Sequence, residues 1–342
     1  MAILLAPSIY LNAKESAKPF PNELHRVLSE QDKEGLDKIL NDGFPINSVD
    51  NSFSTVLDYA IRNNSIKIIP YLLEKGADIN FCSELGNAPF SYSIKKDDDT
   101  VFLYLLGQEK LKLNPKCLRE GTDFNYLEKS ILHGSDTMVS ELLKKGFDPN
   151  FKNIDSIYPL FLAFREESYS KVKILLEHKA NPNLLKEDSQ FLNDISSTFN
   201  SNNKNIIELL IKFGLNLDDE DMTLASLAIQ KGNASLLEFL ILNKIPFDPK
   251  SLGRKFSLLH LAISTKQDNI IKILLNAGYN PKEVYLNGNN PLHLAVLNGR
   301  PDTVALLMDR GLDPFSENKG GYKPIDYAES KPEILKILLR KS

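Results

Sequence analysis

Two short segments near the C-terminus repeat one pattern at a fixed spacing. Residues 258–262 read LLHLA and residues 291–295 read PLHLA, and their histidines lie 33 residues apart. Later in each copy, Gly278 and Gly311 follow a pair of leucines and also lie 33 residues apart. A fixed period of this size is typical of stacked structural units, each of which buries its apolar face against its neighbours. The period limits the possible folds more than any other feature of the chain.

The same phase can be followed along nearly the whole sequence, which gives about ten units between Pro21 and Ser342. Each unit contains two apolar segments with helical spacing. Pro291 suits the first turn of a helix, where its missing N–H costs nothing. Gly311 lies where helices commonly end in the left-handed conformation. Each unit is therefore predicted to be a pair of helices.

Two regions depart from this pattern. Near residues 109–122 the glycine that ends the second helix is lost, and near residues 186–206 the PLHLA segment disappears. Within the second region, residues 200–204 (NSNNK) are predicted to be a polar link between helices. Two interpretations stay open: drift in a tolerant array, or a specialised binding insertion.

The combined motif, PLHLA followed by Leu-Leu-x-x-Gly-x-Asn/Asp-Pro/Ile-Asn, resembles the ankyrin repeat. The best copies are the last two full ones, and good copies lie at residues 53–80 and 123–183. This resemblance implies an all-α solenoid of about ten helix-turn-helix units with β-hairpin finger loops. We expect residues 1–20 to be an N-terminal arm or cap and residues 21–342 to be the ankyrin-repeat array.

Composition excludes several classes of protein. A formal net charge of −4 and a pI near 5.8 give no basic footprint for nucleic acid. No apolar run approaches the ~18 residues of a membrane span, so we expect a soluble chain. Cys82 and Cys117 are the only cysteines, too few for a disulfide framework or a zinc quartet. We interpret both as buried or loop residues and expect a reducing cytosol.

The histidines, which are the candidate catalytic residues, are better explained as structural residues of the repeat. His25, His260 and His293 share one phase of the repeat, and in ankyrin repeats this position anchors neighbouring loops through backbone hydrogen bonds. No pair of histidines has zinc-binding spacing, and no nucleotide-binding or nucleophile motif occurs. We expect no enzymatic activity, no metal and no cofactor. The alternative is an enzyme with an active site built into the divergent residues 109–205.

The resemblance also implies a binding surface. Ankyrin arrays usually bind partner proteins through a concave face, made of finger tips and the exposed end of each first helix. Carried over by phase, this face includes the helix-end residues Arg62, Lys95, Lys96, His133, Arg165 and Lys231 and the finger aromatics Phe53, Phe81 and Tyr285. We predict that the part of this face from Arg62 to Arg165 receives an acidic or mixed peptide segment of a protein partner. The alternative is that these basic residues only keep a solvent-facing helix soluble.

Composition and repeat architecture indicate a biological setting for the chain. Lys (33) outnumbers Arg (8), and Asn is frequent at 31, a bias that fits an AT-rich genome. A stand-alone array without a cleavable signal is similar to bacterial effectors that secretion systems deliver into host cells. That resemblance implies a host protein as partner, the host cytoplasm as location and a monomer. The alternative is an inhibitor or assembly scaffold inside the producing cell.

Overall fold

The computed structural model describes residues 20–82, 88–95, 98–113, 126–153, 155–187, 189–217, 224–244 and 257–340. Nineteen α-helices and three 3-10 segments occur in these ranges. They form ten pairs, which confirms the all-α fold and the predicted number of units. The chain divides into an N-terminal unit, Met1–Asn181, and a C-terminal unit, Pro182–Ser342, with five pairs in each. The predicted arm at residues 1–20 lies outside the described residues, apart from its last residue.

In the N-terminal unit the helices are short and regularly spaced. The five pairs are α1 (Asn22–Glu30) with α2 (Lys33–Asn41), α3 (Val56–Arg62) with α4 (Ile69–Glu74), α5 (Pro89–Tyr92) with α6 (Thr100–Leu106), α7 (Tyr126–His133) with α8 (Asp136–Lys144), and α9 (Pro159–Arg165) with α10 (Tyr169–Glu177).

In the C-terminal unit the last pair opens with a 3-10 turn instead of an α-helix. The pairs are α11 (Ser189–Thr198) with α12 (Ser201–Lys212), α13 (Leu224–Lys231) with α14 (Ala234–Leu242), α15 (Leu258–Ser264) with α16 (Asp268–Asn276), α17 (Pro291–Leu297) with α18 (Pro301–Asp309), and the turn Pro324–Ala328 with α19 (Pro332–Leu338). Short 3-10 segments also occupy Pro182–Glu187 and Leu286–Gly288.

In α3, α15 and α17 the side chain of the residue before the PLHLA-type segment caps the first helix of the pair. The Ser257 hydroxyl accepts the His260 N–H at 3.2 Å, and the Asn290 amide oxygen accepts the His293 N–H at 3.1 Å. Thr55 caps α3 in the same way. Such caps satisfy N–H groups that have no partner within the helix. The spacing between cap and histidine therefore fixes where these helices start.

Aromatic and aliphatic side chains fill the space between successive pairs. The Phe90 ring of α5 lies 5.1 Å from the Phe102 ring of its own second helix and 4.9 Å from the Tyr126 ring of the next first helix. All three residues are fully buried. A single pair could not cover these rings, so neighbouring pairs depend on each other for their cores.

Asparagines tie the loop after one second helix to the loop after the next. The Asn150 amide donates to the Lys179 carbonyl at 3.1 Å, and its oxygen accepts the Asn181 N–H at 2.7 Å. We call Asn47, Asn80, Asn150 and Asn183 the asparagine ladder. The other members make the same two bonds: Asn47 to Gly76 and Asp78, Asn80 to Lys110 and Lys112, and Asn183 to Gly214 and Asn216.

The finger loops that precede the first helices close as tight turns. Before α3, the Asp50 N–H donates to the Ser54 carbonyl at 3.0 Å, and the Phe53 N–H donates to the Asp50 carbonyl at 2.9 Å. The Asp50 carboxylate also accepts the Ser54 N–H at 2.9 Å. The expected β-hairpins are not confirmed, because the β pairing in the described ranges is one isolated bridge between Val49 and Thr55. The same two backbone bonds join Asn153 with Ser156 and Ile157, Tyr285 with Gly288 and Asn289, and Asn318 with Gly321 and Tyr322.

The second divergent region keeps the helix-pair architecture. The predicted link at residues 200–204 is shorter than expected, since α12 already begins at Ser201. Asn200 makes this possible, because its side-chain oxygen accepts the Asn203 N–H at 3.1 Å while the Asn203 side chain accepts the Asn200 N–H at 2.7 Å. A polar run that reads as a loop is therefore a capped first turn. The other divergent region is described only as far as Leu113.

Candidate functional site

His260 and His293 anchor the following finger loop, as predicted. The His260 Nε2 donates to the Asn289 carbonyl at 3.4 Å, and the His293 Nε2 donates to the Tyr322 carbonyl at 3.1 Å. Burial lowers the pKa of His260 to about 4 and lowers that of His293 as well. His25 differs, since it is half-buried and its ring lies 4.8 Å from the Tyr59 ring.

Asp58 occupies the corresponding position of α3, where an acid replaces the histidine. One carboxylate oxygen accepts the Thr55 N–H at 2.8 Å. The other oxygen, Oδ1, is buried and has no hydrogen-bond partner in the described part of the chain. Burial raises the pKa of Asp58 to about 6. Because burial disfavours the charged form, this carboxyl destabilises the fold when it is ionised.

Lys95, predicted for the binding surface, holds a helix end. Its ammonium donates to the Arg62 carbonyl at 2.7 Å and to the Ile61 carbonyl at 3.2 Å, at the C-terminus of α3. Burial lowers the pKa of Lys95. Lys171 acts similarly on α7, where it donates to the Ile131 and Gly134 carbonyls. Such cations satisfy carbonyls that the helix leaves unpaired and complement its dipole.

Arg62 and Lys129 converge on one aromatic ring, Tyr92. The Arg62 guanidinium lies 4.0 Å from the centre of this ring, and the Lys129 ammonium lies 5.8 Å from it. Arg62 also donates to the Ser54 hydroxyl at 2.9 Å. Burial, and secondly the charge of Arg62, lower the pKa of Lys129. We call Arg62, Tyr92 and Lys129 the Tyr92 cluster.

The remaining helix-end residues divide between the two units. His133 and Arg165 are exposed at the C-terminal ends of α7 and α9, and the Arg165 guanidinium lies 5.7 Å from the Phe161 ring. Lys231 is exposed at the end of α13 in the C-terminal unit. Lys96 lies outside the described residues. The N-terminal unit therefore carries Arg62, His133 and Arg165 as exposed helix-end residues.

The three finger aromatics have different environments. Phe53 is half-buried in the turn before α3 and has a positive φ of 55°. Phe81 is half-buried in the loop after α4, directly beyond the ladder residue Asn80. The Tyr285 ring packs 4.7 Å from the His260 ring. Tyr285 thus supports the scaffold, whereas Phe53 lies on a finger turn.

Sequence reasoning missed Tyr92 and Lys129, and it missed an apolar finger. Tyr92 ends the very short helix α5, and its position four residues before the predicted Lys96 in the sequence gave the only signal. Val284 and Leu286 flank Tyr285 and expose 66% and 52% of their surface. Residues 284–286 read VYL, a continuous apolar run whose exposure the sequence pattern does not indicate.

Two further features bear on chemistry. Cys82 lies in the loop after α4, as interpreted, but it is disulfide-bonded. Cys117 lies outside the described residues. Disulfides are typical of oxidising compartments, and the cysteine count therefore no longer supports a reducing cytosol.

No cluster of His, Cys, Asp and Glu suited to a metal ion occurs in the described ranges. None of the helices described there combines the length and apolar character needed to cross a bilayer.

Family models match two separate stretches of the chain. A family model described as ankyrin repeats (3 copies) matches residues 259–342, and a single ankyrin repeat model matches residues 54–81. The crystal structure of the human ASB11 ankyrin repeat domain is similar with a TM-score of 0.45 and 20% identity, covering 63% of this chain and 97% of that chain.

Similar curated proteins come from a bacterium and a virus. The chain is 31% identical to the phosphocholine transferase AnkX of Legionella pneumophila over 140 residues, which cover 41% of this chain and 13% of that protein. It is 27% identical to the putative ankyrin repeat protein FPV031 of fowlpox virus over 170 residues, 48% of this chain and 49% of that protein. The chain thus spans less than half the length of either relative. Matched motifs, ten helix pairs and these relatives identify the chain as an ankyrin-repeat protein.

Proposed function

We propose that this chain is a non-enzymatic interaction module that binds a protein partner through its N-terminal unit. Ankyrin-repeat proteins generally bind proteins, which supports the broader part of this proposal. The finer part concerns the first-helix surface, formed by the Tyr92 cluster together with His133 and Arg165. The observation that carries it is the convergence of Arg62 and Lys129 on the Tyr92 ring.

The partner segment that best complements this surface is acidic. Two cations held beside one ring repel each other, and this repulsion contributes to the lowered pKa of Lys129. A carboxylate placed between them would relieve the repulsion and gain two favourable charge interactions. An acidic or mixed peptide segment therefore fits better than a basic or purely apolar one.

The alternative of an enzyme centred on residues 109–205 has less support. The described residues of that region form helix pairs, including α7 with α8 and α9 with α10. The transferase activity of AnkX belongs to that protein, and the alignment covers only 13% of it. We therefore propose binding without catalysis. A purified chain that turns over a substrate at a site in this region would contradict the proposal.

We propose further that the chain acts as a secreted bacterial effector on a host protein. The composition bias and the repeat architecture support this role, whereas the relatives from a bacterium and a virus do not single out one setting. The alternative is an inhibitor or assembly scaffold in the producing cell. Proximity labelling in both cell types separates the two, because an effector labels a host protein specifically.

Charge reversal tests the binding surface directly. Arg62→Glu combined with Arg165→Glu should lower recovery of the partner at least about tenfold, a loss of about 1.4 kcal/mol. Because Arg62 also donates to Ser54 and lies over the Tyr92 ring, recovery is measured at a temperature at which circular dichroism shows the variant to be folded. Lys144→Glu combined with Lys173→Glu is the matched control, since the side chains of both lysines are about half exposed on second helices. Lys95 is left intact because its ammonium holds the end of α3. Equal recovery by both double variants would contradict the proposal.

A further inference from the structure

A buried carboxyl, that of Asp58, lies on the same helix as Arg62 and is not used by the proposed function. Asp58 is the third residue of α3 and is 1% exposed. His260 and His293 hold the same position in α15 and α17, where each donates from Nε2 to a carbonyl of the next finger. A carboxylate has no hydrogen to donate. The acid therefore gives up the structural role of the histidine and introduces a buried group that can carry a negative charge.

The charge of the ionised carboxyl is poorly compensated. Its Oδ2 accepts the Thr55 N–H at 2.8 Å, and its Oδ1 is buried without a hydrogen-bond partner in the described part of the chain. Arg62, four residues further along α3, directs its guanidinium to the Ser54 hydroxyl and over the Tyr92 ring instead. Burial raises the pKa of Asp58 to about 6, which the Thr55 hydrogen bonds and the charge of Arg62 only partly offset. Asp58 therefore changes its charge just below neutral pH.

Asp58 interacts electrostatically with residues of the first-helix surface. The charge of Arg62 lowers its pKa after burial has raised it, and the charge of Asp50, in the finger turn, raises it. Burial raises the pKa of the Tyr92 hydroxyl in α5, Arg62 lowers it, and the charge of Asp58 raises it further. Proton binding at Asp58 thus alters the field at two members of the Tyr92 cluster.

The other helices packed on α3 offer Asp58 no further cation. On α1, Arg26 pairs with Glu23 and Glu30, and the His25 ring packs on Tyr59. On α4, Lys75 pairs with Asp37, and Glu74 is exposed. Among the described residues, Arg62 is therefore the cation whose charge acts on Asp58.

We propose that protonation of Asp58 regulates the first-helix surface, with the neutral form binding an acidic partner segment more tightly than the ionised form. The ionised carboxyl offsets part of the positive charge of Arg62 that attracts the partner's carboxylates, whereas the neutral carboxyl does not. Binding of the acidic segment and binding of the proton therefore favour each other. This inference rests on the proposed function, because it assumes an acidic segment at Arg62.

The affinity of the full chain for a fluorescent peptide of alternating Asp and Gly tests this coupling. Aspartates with a pKa of about 3.9 stay ionised between about pH 7.5 and about pH 5. All proteins carry His133→Gln, so that a histidine on this surface does not contribute. Fluorescence anisotropy should show affinity rising at least about fivefold as the pH falls across this window. Asp58→Asn should remove this rise. Asp136→Asn, at an exposed position of α8, is the matched control and should keep it.

Calorimetry at about pH 6 provides an independent readout. Titrations in two buffers of different ionisation enthalpy measure the protons taken up when the peptide binds. The chain with Asp58 should take up a fraction of a proton for each peptide bound, whereas Asp58→Asn should take up none.

The outcomes separate this inference from the proposed function. If the peptide binds at no pH, the proposed function fails and this inference fails with it. If the peptide binds and Asp58→Asn keeps the same pH dependence and proton uptake, the inference alone is overturned. Should Asp58→Asn lose helical circular dichroism, Asp58→Ser provides the second variant, since Ser91 holds the same helix position in α5.

Discussion

The side-chain amide of Asn150 receives the Asn181 N–H at 2.7 Å and so joins two successive helix pairs. The same amide donates to the Lys179 carbonyl at 3.1 Å. One asparagine therefore satisfies two backbone groups of the next unit. Because the ladder repeats this geometry at Asn47, Asn80 and Asn183, it is a general connection between neighbouring pairs.

Asn150→Ala should lower the free energy of unfolding by about 1–2 kcal/mol, since it removes two hydrogen bonds at a partly exposed site. Chemical denaturation followed by circular dichroism measures this change. Asn51→Ala, in an exposed finger position, is the control and should stay within about 0.5 kcal/mol of wild type. Equal stabilities of the two variants would show that the ladder contributes nothing.

Lys171→Ala should destabilise the chain by about 1–2 kcal/mol, because its ammonium serves carbonyls at the end of α7. Lys173→Ala is the matched control on the same helix, where the side chain is about half exposed and makes only a long contact of 3.8 Å with Glu177. Thermal unfolding of both variants checks the difference. A larger loss at Lys173 would argue against helix-end stabilisation by Lys171.

Asp58→Asn should stabilise the chain at neutral pH. The folded-state pKa of Asp58 is raised to about 6 from 3.8, so its ionisation on raising the pH disfavours folding. The free-energy cost of ionising Asp58 in the folded state is absent below about pH 4 and complete above about pH 6. The variant should therefore gain roughly 2–3 kcal/mol over wild type at about pH 8 and little at about pH 4. A gain independent of pH would contradict the raised pKa.

His260 predicts the opposite dependence. Its folded-state pKa is lowered to about 4 from 6.5, because burial disfavours the charged ring. The stability that it contributes is present above about pH 6.5 and is lost as the pH falls towards about 4. His260→Gln should flatten the change in unfolding free energy across this window. Urea titrations at several pH values measure it, and identical pH profiles would count against a buried neutral His260.

The repeat phase made much of the fold predictable from local spacing. A cap, a histidine and a glycine at fixed offsets determine where helices start and end, and Ser257 with His260 shows this directly. The locations of charged groups at the ends of long side chains could not be predicted. Lys95 was expected to face a partner, yet its flexible stem reaches back to the Arg62 and Ile61 carbonyls.

The Tyr92 cluster shows a second limit. Its members come from three successive pairs, and their meeting depends on how α3, α5 and α7 pack side by side. Sequence phase identified Arg62 alone, because spacing within one unit carries no information on distances between units. The finger hairpins stay unconfirmed: before α3 the Asp50 N–H donates to the Ser54 carbonyl and the Asp50 carboxylate accepts the Ser54 N–H, and the bridge between Val49 and Thr55 is isolated.

The central claim is that the first-helix surface contacts the partner. A photo-crosslinking residue at position 133 tests it most directly, because His133 is exposed one turn beyond Lys129 on α7. We expect a crosslinked partner from position 133, with a yield at least about tenfold lower when Arg62 and Arg165 are reversed to Glu. Position 173 should yield none. Crosslinks from position 173 alone, or a yield at position 133 that survives charge reversal, would contradict the account.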